Sequence, residues 1–402
     1  MEPHDQAGVP AGATTLPARY YIDPAHYAVE LDRIFGRMWT CVGRVDEVPQ
    51  VGDYTLRQVG DEGLIVVRAA PDRIHAFYNV CRHRGTRVCD APAGHAKRLQ
   101  CPYHAWTYDL DGRLVAAPHF EEGDGFHKSE LGLGPVACDI WEGQVFLNLA
   151  DNPPPLLDQL AGLPAKFAPW RLGELRRGAR VVYDVAANWK LIIQNYSECL
   201  HCPVIHPALA KVSHYLSGEN EPAGPDSTYL GGRMDLRPGV ATMSLDGRAR
   251  RANLPGLDGD ACRHVYYYAV LPNLLLSVHP DYLMTHVLRP VAVDRTEVIC
   301  EWHFHPDEMA RPGFDPADAV EFWDLTNRQD WHVSELTQLG LKSRAYTPGP
   351  YSDREELLHA FDRWVVAKAE GQKCDEPQMS SSVLLRLQAG RKVRVSYRSD
   401  GS

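Results

Sequence analysis

The chain is predicted to be an α+β protein: a small all-β domain followed by an antiparallel sheet with long helices. Three features of the sequence carry that expectation. From Gly52 to about Leu149, short β-prone runs such as Tyr54-Thr-Leu and Leu64-Ile-Val-Val are separated by Gly, Asp and Pro. Asp151-Asn-Pro-Pro-Pro155 then reads as a linker or domain edge. Beyond about residue 160, strand candidates are mixed with long helical patterns, an arrangement of the α+β class.

Residues 1–18 are rich in Pro, Gly and Ala and are expected to be poorly ordered. Asp23-Pro24 opens the first helix, with Asp as the cap and Pro at the first helical position. Behind it Tyr27, Leu31, Ile34, Phe35 and Met38 recur at helical spacing. The expected organisation is an N-terminal segment (1–40) whose helix packs on the later domain, a β domain (41–150), and a second domain (160–402). In the second domain strands are expected at 179–184, 264–271, 274–278, 282–289 and 297–305. Helices are expected at 189–201, 315–339 and 352–369, the last with Ser352 at its cap and Glu355 three residues on.

A length of 402 residues allows two domains, and 44% hydrophobic with 23% charged residues is the composition of an ordinary globular protein. Lys and Arg total 42 against 52 Asp and Glu, and the resulting −10 argues against a nucleic-acid footprint. No apolar run approaches the roughly 20 residues of a membrane span. The first residues lack a basic stretch followed by an apolar core, so no secretory signal is expected. Ten cysteines without regular spacing suggest a reducing, cytoplasmic setting.

Two short pairs carry the most specific chemistry: Cys81-Arg-His83 and Cys101-Pro-Tyr-His104. Each offers one thiolate and one imidazole. That suits a [2Fe–2S] cluster whose one iron is held by two cysteines and the other by two histidines, a Rieske centre of raised potential. Structural zinc also takes two Cys and two His, but zinc fingers group them as a Cys pair followed by a His pair. Gly85 and Pro102 lie within two residues of the pairs, as tight loops around a cluster require. Cys89, between the pairs, reads as a buried or free thiol, and no loop-bridging disulfide is expected.

A second constellation follows Asn188-Trp189: Asn195-Tyr-Ser-Glu198-Cys-Leu-His201-Cys-Pro-Val-Ile-His206-Pro207. Glu198 and His201 share a helix face by their i,i+3 spacing. Pro203 must loosen or end the helix, which would bring His206 round to His201. Two imidazoles and a carboxylate make the facial triad of non-haem Fe(II) oxygenases, so a distant carboxylate is needed. Asp330 lies in the apolar stripe of the 315–339 helix (Ala319, Phe322, Trp323, Thr326, Val333, Leu336), where an unpaired carboxylate is costly. Asp324 groups with Asn327, Arg328 and Glu335 on the polar side, leaving Asp330 as the preferred ligand. The alternative is that His201 and His206 are ordinary polar residues near a helix end.

Together these motifs resemble the α subunits of Rieske non-haem iron oxygenases, the ring-hydroxylating oxygenase family, over nearly the whole chain. The resemblance implies a Rieske domain set within a helix-grip-like catalytic domain, and ring-shaped homotrimers in which one subunit's cluster lies near the next subunit's iron. It implies that Cys81, His83, Cys101 and His104 hold the cluster and that His201, His206 and Asp330 hold a mononuclear Fe(II). Glu198 would bridge a cluster histidine to an iron-ligand histidine across the subunit boundary. The string Asn-Tyr-x-Glu-Cys-x-His-Cys-x-x-x-His-Pro looks most like the choline, carnitine and betaine branch, although Leu200 stands where that branch often has Tyr.

Such an enzyme uses O₂ as co-substrate. No Gly-rich dinucleotide fingerprint follows a strand, so NAD(P)H oxidation is expected on a separate flavin/ferredoxin-type reductase. A quaternary ammonium or N-methyl substrate would be hydroxylated and its C–N bond cleaved. It calls for an aromatic cage, for which Tyr266, Tyr267, Tyr268, Tyr282, Trp302 and Phe304 are candidates beside a core role. His279, His286, His303, His305 and His332 read mostly as structural. The Arg176-Arg177 and Arg248/Arg250/Arg251 clusters read as solvated surface or a reductase dock. Hydroxylation of an aromatic acid remains an alternative, with an electron carrier lacking oxygenase activity and a zinc-stabilised binding protein more remote.

Overall fold

Leu64, Ile65, Val66 and Val67 are all buried, and successive residues join different cores. Leu64 and Val66 enter a large cluster shared with the helices, while Ile65 and Val67 enter a smaller one with Cys81, Cys101, Trp106 and Tyr108. Their strand is therefore covered on both faces, which explains a continuous apolar run in an antiparallel sheet. The computed structural model describes residues 8–123 and 125–371. In it this seven-stranded sheet runs, in spatial order, Thr40–Arg44, Gln144–Asn148, Pro135–Trp141, Arg73–Tyr78, Glu62–Ala70, Asp53–Val59 and Ala93–His95. A three-stranded sheet (Leu99–Gln100, Thr107–Tyr108, Leu114–Ala116) carries the second Cys–His loop.

A second seven-stranded antiparallel sheet runs Arg176–Val185, Arg295–Phe304, Leu283–Ala292, Leu274–Val278, His264–Val270, Tyr229–Asp235 and Glu219–Asn220. Side chains of His264–Val270 alternate as the strand period demands. Val265 and Ala269 face the core with the Trp189–Tyr196, Ala317–Leu341 and Glu356–Glu370 helices, and Tyr268 and Val270 face a core built on Leu156–Leu160 and Leu163–Phe167. The α+β class and the antiparallel sheet with long helices are as expected.

Several elements differ from the sequence reading. Residues 8–18 are pinned rather than loose: Leu16 is buried, Thr15 N–H donates to Gly349 O at 2.9 Å, and Tyr346 OH donates to Leu16 O at 2.9 Å. Asp23 does cap Pro24–Glu30, accepting from Ala25 N, and the chain continues as a π-helical turn over Leu31–Phe35. The expected 189–201 helix stops at Tyr196. The later helix starts at Ala317 and passes through Gly340 to Leu341. Ser352 and Glu355 form only half a capping box: Ser352 N–H donates to the Glu355 carboxylate at 2.7 Å, and the helix begins at Glu356. The strands Tyr229–Asp235 and Glu219–Asn220 were not expected.

One buried ion pair ties the N-terminal helix to the second sheet's helices. Lys190 Nζ lies 2.6 Å from Glu30 Oε1 with both side chains fully buried, and Trp189 Nε1 donates to the other oxygen at 2.9 Å. Burial penalises both charges, so the pair holds only because each has its partner.

Candidate active site

The two Cys–His loops share one backbone design. In the first, Cys81 N–H donates to Thr86 O at 2.8 Å and Gly85 N–H to Cys81 O at 3.0 Å; in the second, Cys101 N–H donates to Trp106 O at 2.8 Å and Ala105 N–H to Cys101 O at 3.1 Å. Gly85 and Ala105 occupy equivalent places and both have positive φ, +75° and +56°. Glycine takes that conformation freely, whereas Ala105 is held there by the loop around it. Asn79 clamps the first loop from below: its Oδ1 accepts from Val88 N (2.9 Å) and Cys89 N (3.0 Å), and its Nδ2 donates to Cys89 O (2.7 Å). Cys89 is a buried free thiol.

These loops bring the four predicted residues together. The rings of His83 and His104 lie 4.6 Å apart, and His83 stacks on Trp106 at 4.8 Å with 6° between the planes. Cys81 and Cys101 are buried free thiols, and Cys81 Sγ is 3.2 Å from Tyr108 OH. His83 Nδ1 is buried without a hydrogen-bond partner among the described residues. An orphaned imidazole nitrogen costs about 1–3 kcal/mol unless something takes it. Two thiols, two imidazoles and that orphan suit a group bound by all four.

The second constellation is built on a broken helix. Ser197 Oγ donates back to Ile193 O at 2.7 Å, ending the Trp189–Tyr196 helix. Glu198 and His201 therefore meet across a turn rather than along a helix face. The Cys199 and Cys202 sulfurs are joined, and a Glu198 oxygen accepts from Leu200 N. Pro203 then starts a short helix, Cys202–Ile205, which ends at His206.

His201 Nε2 and His206 Nε2 converge on one oxygen of Asp330, at 3.3 and 2.8 Å. Each Nδ1 is fixed from behind, His201 by Glu198 Oε1 (2.5 Å) and His206 by Gln329 Oε1 (2.8 Å). Holding Nδ1 and leaving Nε2 facing a carboxylate is how metal-binding imidazoles are oriented. Burial opposes charge on His201, yet its bonds to Asp330 and Glu198 hold its pKa at about 9. Burial likewise opposes charge on Asp330, whose bonds to His201 and His206 still keep it below the usual carboxylate range. Asp324 is elsewhere, bonded to Tyr183 OH at 2.7 Å and to Arg328 at 2.9 Å. The donor set of two imidazoles and one carboxylate suits a single divalent metal with open positions.

A cavity of about 820 Å³ opens onto these residues. Its inner wall includes Tyr196, Tyr267, Trp323, Trp331, Met284 and His286. Burial pushes His286 down to about 4, so it is neutral. Carboxylates of Glu219, Glu221, Asp353 and Glu356 line the cavity, against the guanidinium groups of Arg233 and Arg354. Arg233 is already paired with Glu219 at 2.8 Å. None of the four Cys–His loop residues lines this cavity.

Of the six strand aromatics expected at a cage, only Tyr267 reaches the cavity. Tyr266 and Tyr268 point to the opposite face, while Tyr282, Trp302 and Phe304 are fully buried in the core. The other cavity aromatics sit on helices or, like Tyr215, in a loop, where strand alternation gives no signal. His303 is buried beside Glu301 at 3.3 Å, and His305 caps Pro306–Met309. The basic clusters are largely consumed internally. Arg251 is buried between Asp281 (3.0 Å) and Asp318 (2.7 Å), Arg250 pairs with Asp246, and Arg177 pairs with Glu301.

Residues 38–133 match the model of the Rieske [2Fe-2S] domain, and residues 172–371 match that of the ring hydroxylating alpha subunit (catalytic domain). The glycine betaine monooxygenase oxygenase subunit of Chromohalobacter salexigens is 35% identical over 376 residues, covering 86% of this chain and 83% of that protein. The carnitine monooxygenase oxygenase subunit of Escherichia coli strain K12 is 30% identical over 352 residues, covering 86% and 88%. Among solved structures, the quaternary ammonium Rieske monooxygenase CntA superposes with a TM-score of 0.75 at 25% identity, over 89% of this chain and 96% of that one.

Proposed function

The chain belongs to the Rieske ring-hydroxylating oxygenase α subunits, and from that membership we propose that it hydroxylates a small quaternary ammonium or N-methyl compound, after which the C–N bond breaks. It is a Rieske-type oxygenase with a [2Fe–2S] domain and a mononuclear-iron catalytic domain. Cys81 and Cys101 are assigned to one cluster iron, His83 and His104 to the other, and His201, His206 and Asp330 to the mononuclear iron. When bound, the cluster supplies single electrons and the mononuclear iron activates O₂. The domains are assigned as 1–40, 41–150 and 160–402, of which residues 1–7, 124 and 372–402 lie outside the described residues.

The observation that carries the substrate class is the cavity itself. Glu219 pairs with Arg233 and Glu221 with Lys166, which leaves Asp353 and Glu356 against Arg354, and fields focused by a low-dielectric cleft attract a cation. Deeper in, the faces of Tyr267, Trp323 and Trp331 offer cation–π contacts, and neutral His286 adds no repulsion. The relatives named for glycine betaine and carnitine point the same way. An aromatic acid would meet carboxylates at the entrance.

The remaining residues have defined tasks. Glu198 and Gln329 hold the two imidazoles by Nδ1 so that both Nε2 atoms face Asp330. The aromatic wall excludes water and places a substrate methyl group beside these residues. Because the Cys–His loops contribute nothing to the cavity of their own chain, we assign a homotrimer in which Glu198 links His201 to a cluster histidine of a neighbouring subunit. Electrons are assigned to a separate NAD(P)H-dependent reductase, and the compartment to the cytoplasm; no described helix is long and apolar enough to cross a membrane.

Oxygen uptake with a surrogate reductase tests the reading across glycine betaine, carnitine, choline and benzoate. A quaternary ammonium substrate should drive uptake with matching release of an aldehyde. Uptake and hydroxylation with benzoate alone would overturn it.

A further inference from the structure

Cys199 and Cys202 bracket Leu200 and His201, and their sulfurs are joined. Neither has a task in the reaction described above. Cys202 is only 4% exposed, and its sulfur lies 3.9 Å from His201 Nε2, the nitrogen that faces Asp330. Donor atoms of His201, Cys202 and His206 all lie within 4.8 Å of one another. Both cysteines also line the cavity. A free cysteine here would complete a set of two imidazoles and one thiolate, the kind of site that favours zinc or copper. A sulfur engaged in a disulfide is no longer a thiolate and loses that strength as a ligand.

We propose that Cys199 and Cys202 form a reversible dithiol–disulfide pair that governs which metal the His201/His206 site accepts. In the disulfide form the Cys202 sulfur is withheld, and the site presents two imidazoles and the Asp330 carboxylate. In the dithiol form Cys202 adds a soft donor, and the site favours zinc. Oxidation by hydrogen peroxide forms one S–S bond, breaks the O–O bond and two S–H bonds, and releases two waters. Reduction by an external dithiol breaks the S–S bond, with two electrons and two protons passing to the cysteines as the reductant becomes a disulfide. The inference rests on the assignment of His201 and His206 as metal ligands.

The test uses cluster-loaded full-length protein whose mononuclear site has been emptied with a chelator. Zinc affinity is measured on the oxidised protein, on protein reduced with a phosphine, and on Cys199→Ser and Cys202→Ser, with thiols titrated in parallel. Reduction should expose two further thiols and tighten zinc binding about tenfold or more. Cys199→Ser should bind zinc as tightly as the reduced protein in either redox state. Cys202→Ser should stay at the oxidised level in both. Equal zinc affinity across all four, or an unchanged thiol count on reduction, overturns the proposal.

A His201→Ala control separates the two levels of the reading. If it abolishes zinc binding but redox state has no effect, only the switch falls. If redox-dependent zinc binding survives His201→Ala, the ligand assignment beneath it falls as well. The cluster absorption band reports that each variant is folded.

Discussion

Glu198 accepts a hydrogen bond from His201 Nδ1 at 2.5 Å while its other carboxylate oxygen is held by Leu200 N–H. Two donors therefore fix this carboxylate in place at the wall of the cavity. In the proposed assembly this carboxylate couples the His201 imidazole to a neighbouring subunit.

Replacing Glu198 by Ala removes the hold on His201 Nδ1 but no donor to either metal. The expected protein keeps its cluster spectrum and about three irons per chain, the third from the mononuclear site. Steady-state turnover falls about 10–100-fold or more, the range seen when an outer partner of a ligand histidine is lost. Stopped-flow reoxidation of the reduced cluster, with substrate and O₂ present, locates the loss in electron transfer. Normal reoxidation in this variant would remove Glu198 from the electron path.

His201→Ala separates the two metal sites. The Cys–His loops lie with the first seven-stranded sheet and the three-stranded sheet, whereas His201 lies in the turn before the Cys202–Ile205 helix, so the cluster absorption should be unchanged. Iron analysis should fall to about two per chain, and turnover should vanish because only His206 and Asp330 remain as donors. Retention of the third iron and of activity would show that the metal binds elsewhere.

The legible parts of this site were those encoded at short range or as a violated pattern. Cys81 with His83, and Cys101 with His104, are each set by one tight loop, so spacing alone displays them. Asp330 stood out against an expected apolar stripe, and it does lie between two imidazoles, but the stripe itself was misdrawn: Leu336 is exposed, and Asn327, expected on the polar side, is buried. Strand alternation could not say which of Tyr266, Tyr267 and Tyr268 faces a cavity, since both faces of that sheet are covered. The strand Tyr229–Asp235 was hidden by Gly231-Gly232, which dilutes β-propensity. Both glycines are needed: a Cβ would fall 2.4 Å from Tyr267 O at Gly231 and 2.1 Å from Glu219 O at Gly232. The helix ends at Tyr196, five residues before the expected 201, because Ser197 and the Cys199–Cys202 closure act before Pro203.

Tyr267 provides the sharpest test of the cationic substrate. Tyr267→Leu keeps bulk and apolar character but removes the ring, and should raise KM for the preferred cation about tenfold, within the ~0.5–2 kcal/mol of a desolvated cation–π contact. Tyr267→Phe should retain the wild-type value. The neutral tert-butyl isostere of the same compound should inhibit both variants equally. If the isostere loses affinity as much as the cation does, Tyr267 supplies shape rather than charge recognition.

Asp362 gives the fold a pH dependence that runs from about pH 4 to about pH 7. It is 3% exposed on the Glu356–Glu370 helix, accepting from Gln194 Nε2 at 2.6 Å and from Tyr351 OH at 2.5 Å. Burial raises its pKa from 3.8 to about 7, with those two bonds and the more distant Lys190 opposing the shift. The folded chain thus keeps a proton that the unfolded chain has already lost. Stability from this group is complete below the unfolded value near 4 and is lost as pH rises through about 7. Between pH 6 and 8 the loss is about 1 kcal/mol for one such carboxyl. Denaturation midpoints at the two pH values should show it, and Asp362→Asn, which keeps the hydrogen-bonding shape without the charge, should flatten it. An identical pH slope in the Asn variant would mean that some other group titrates.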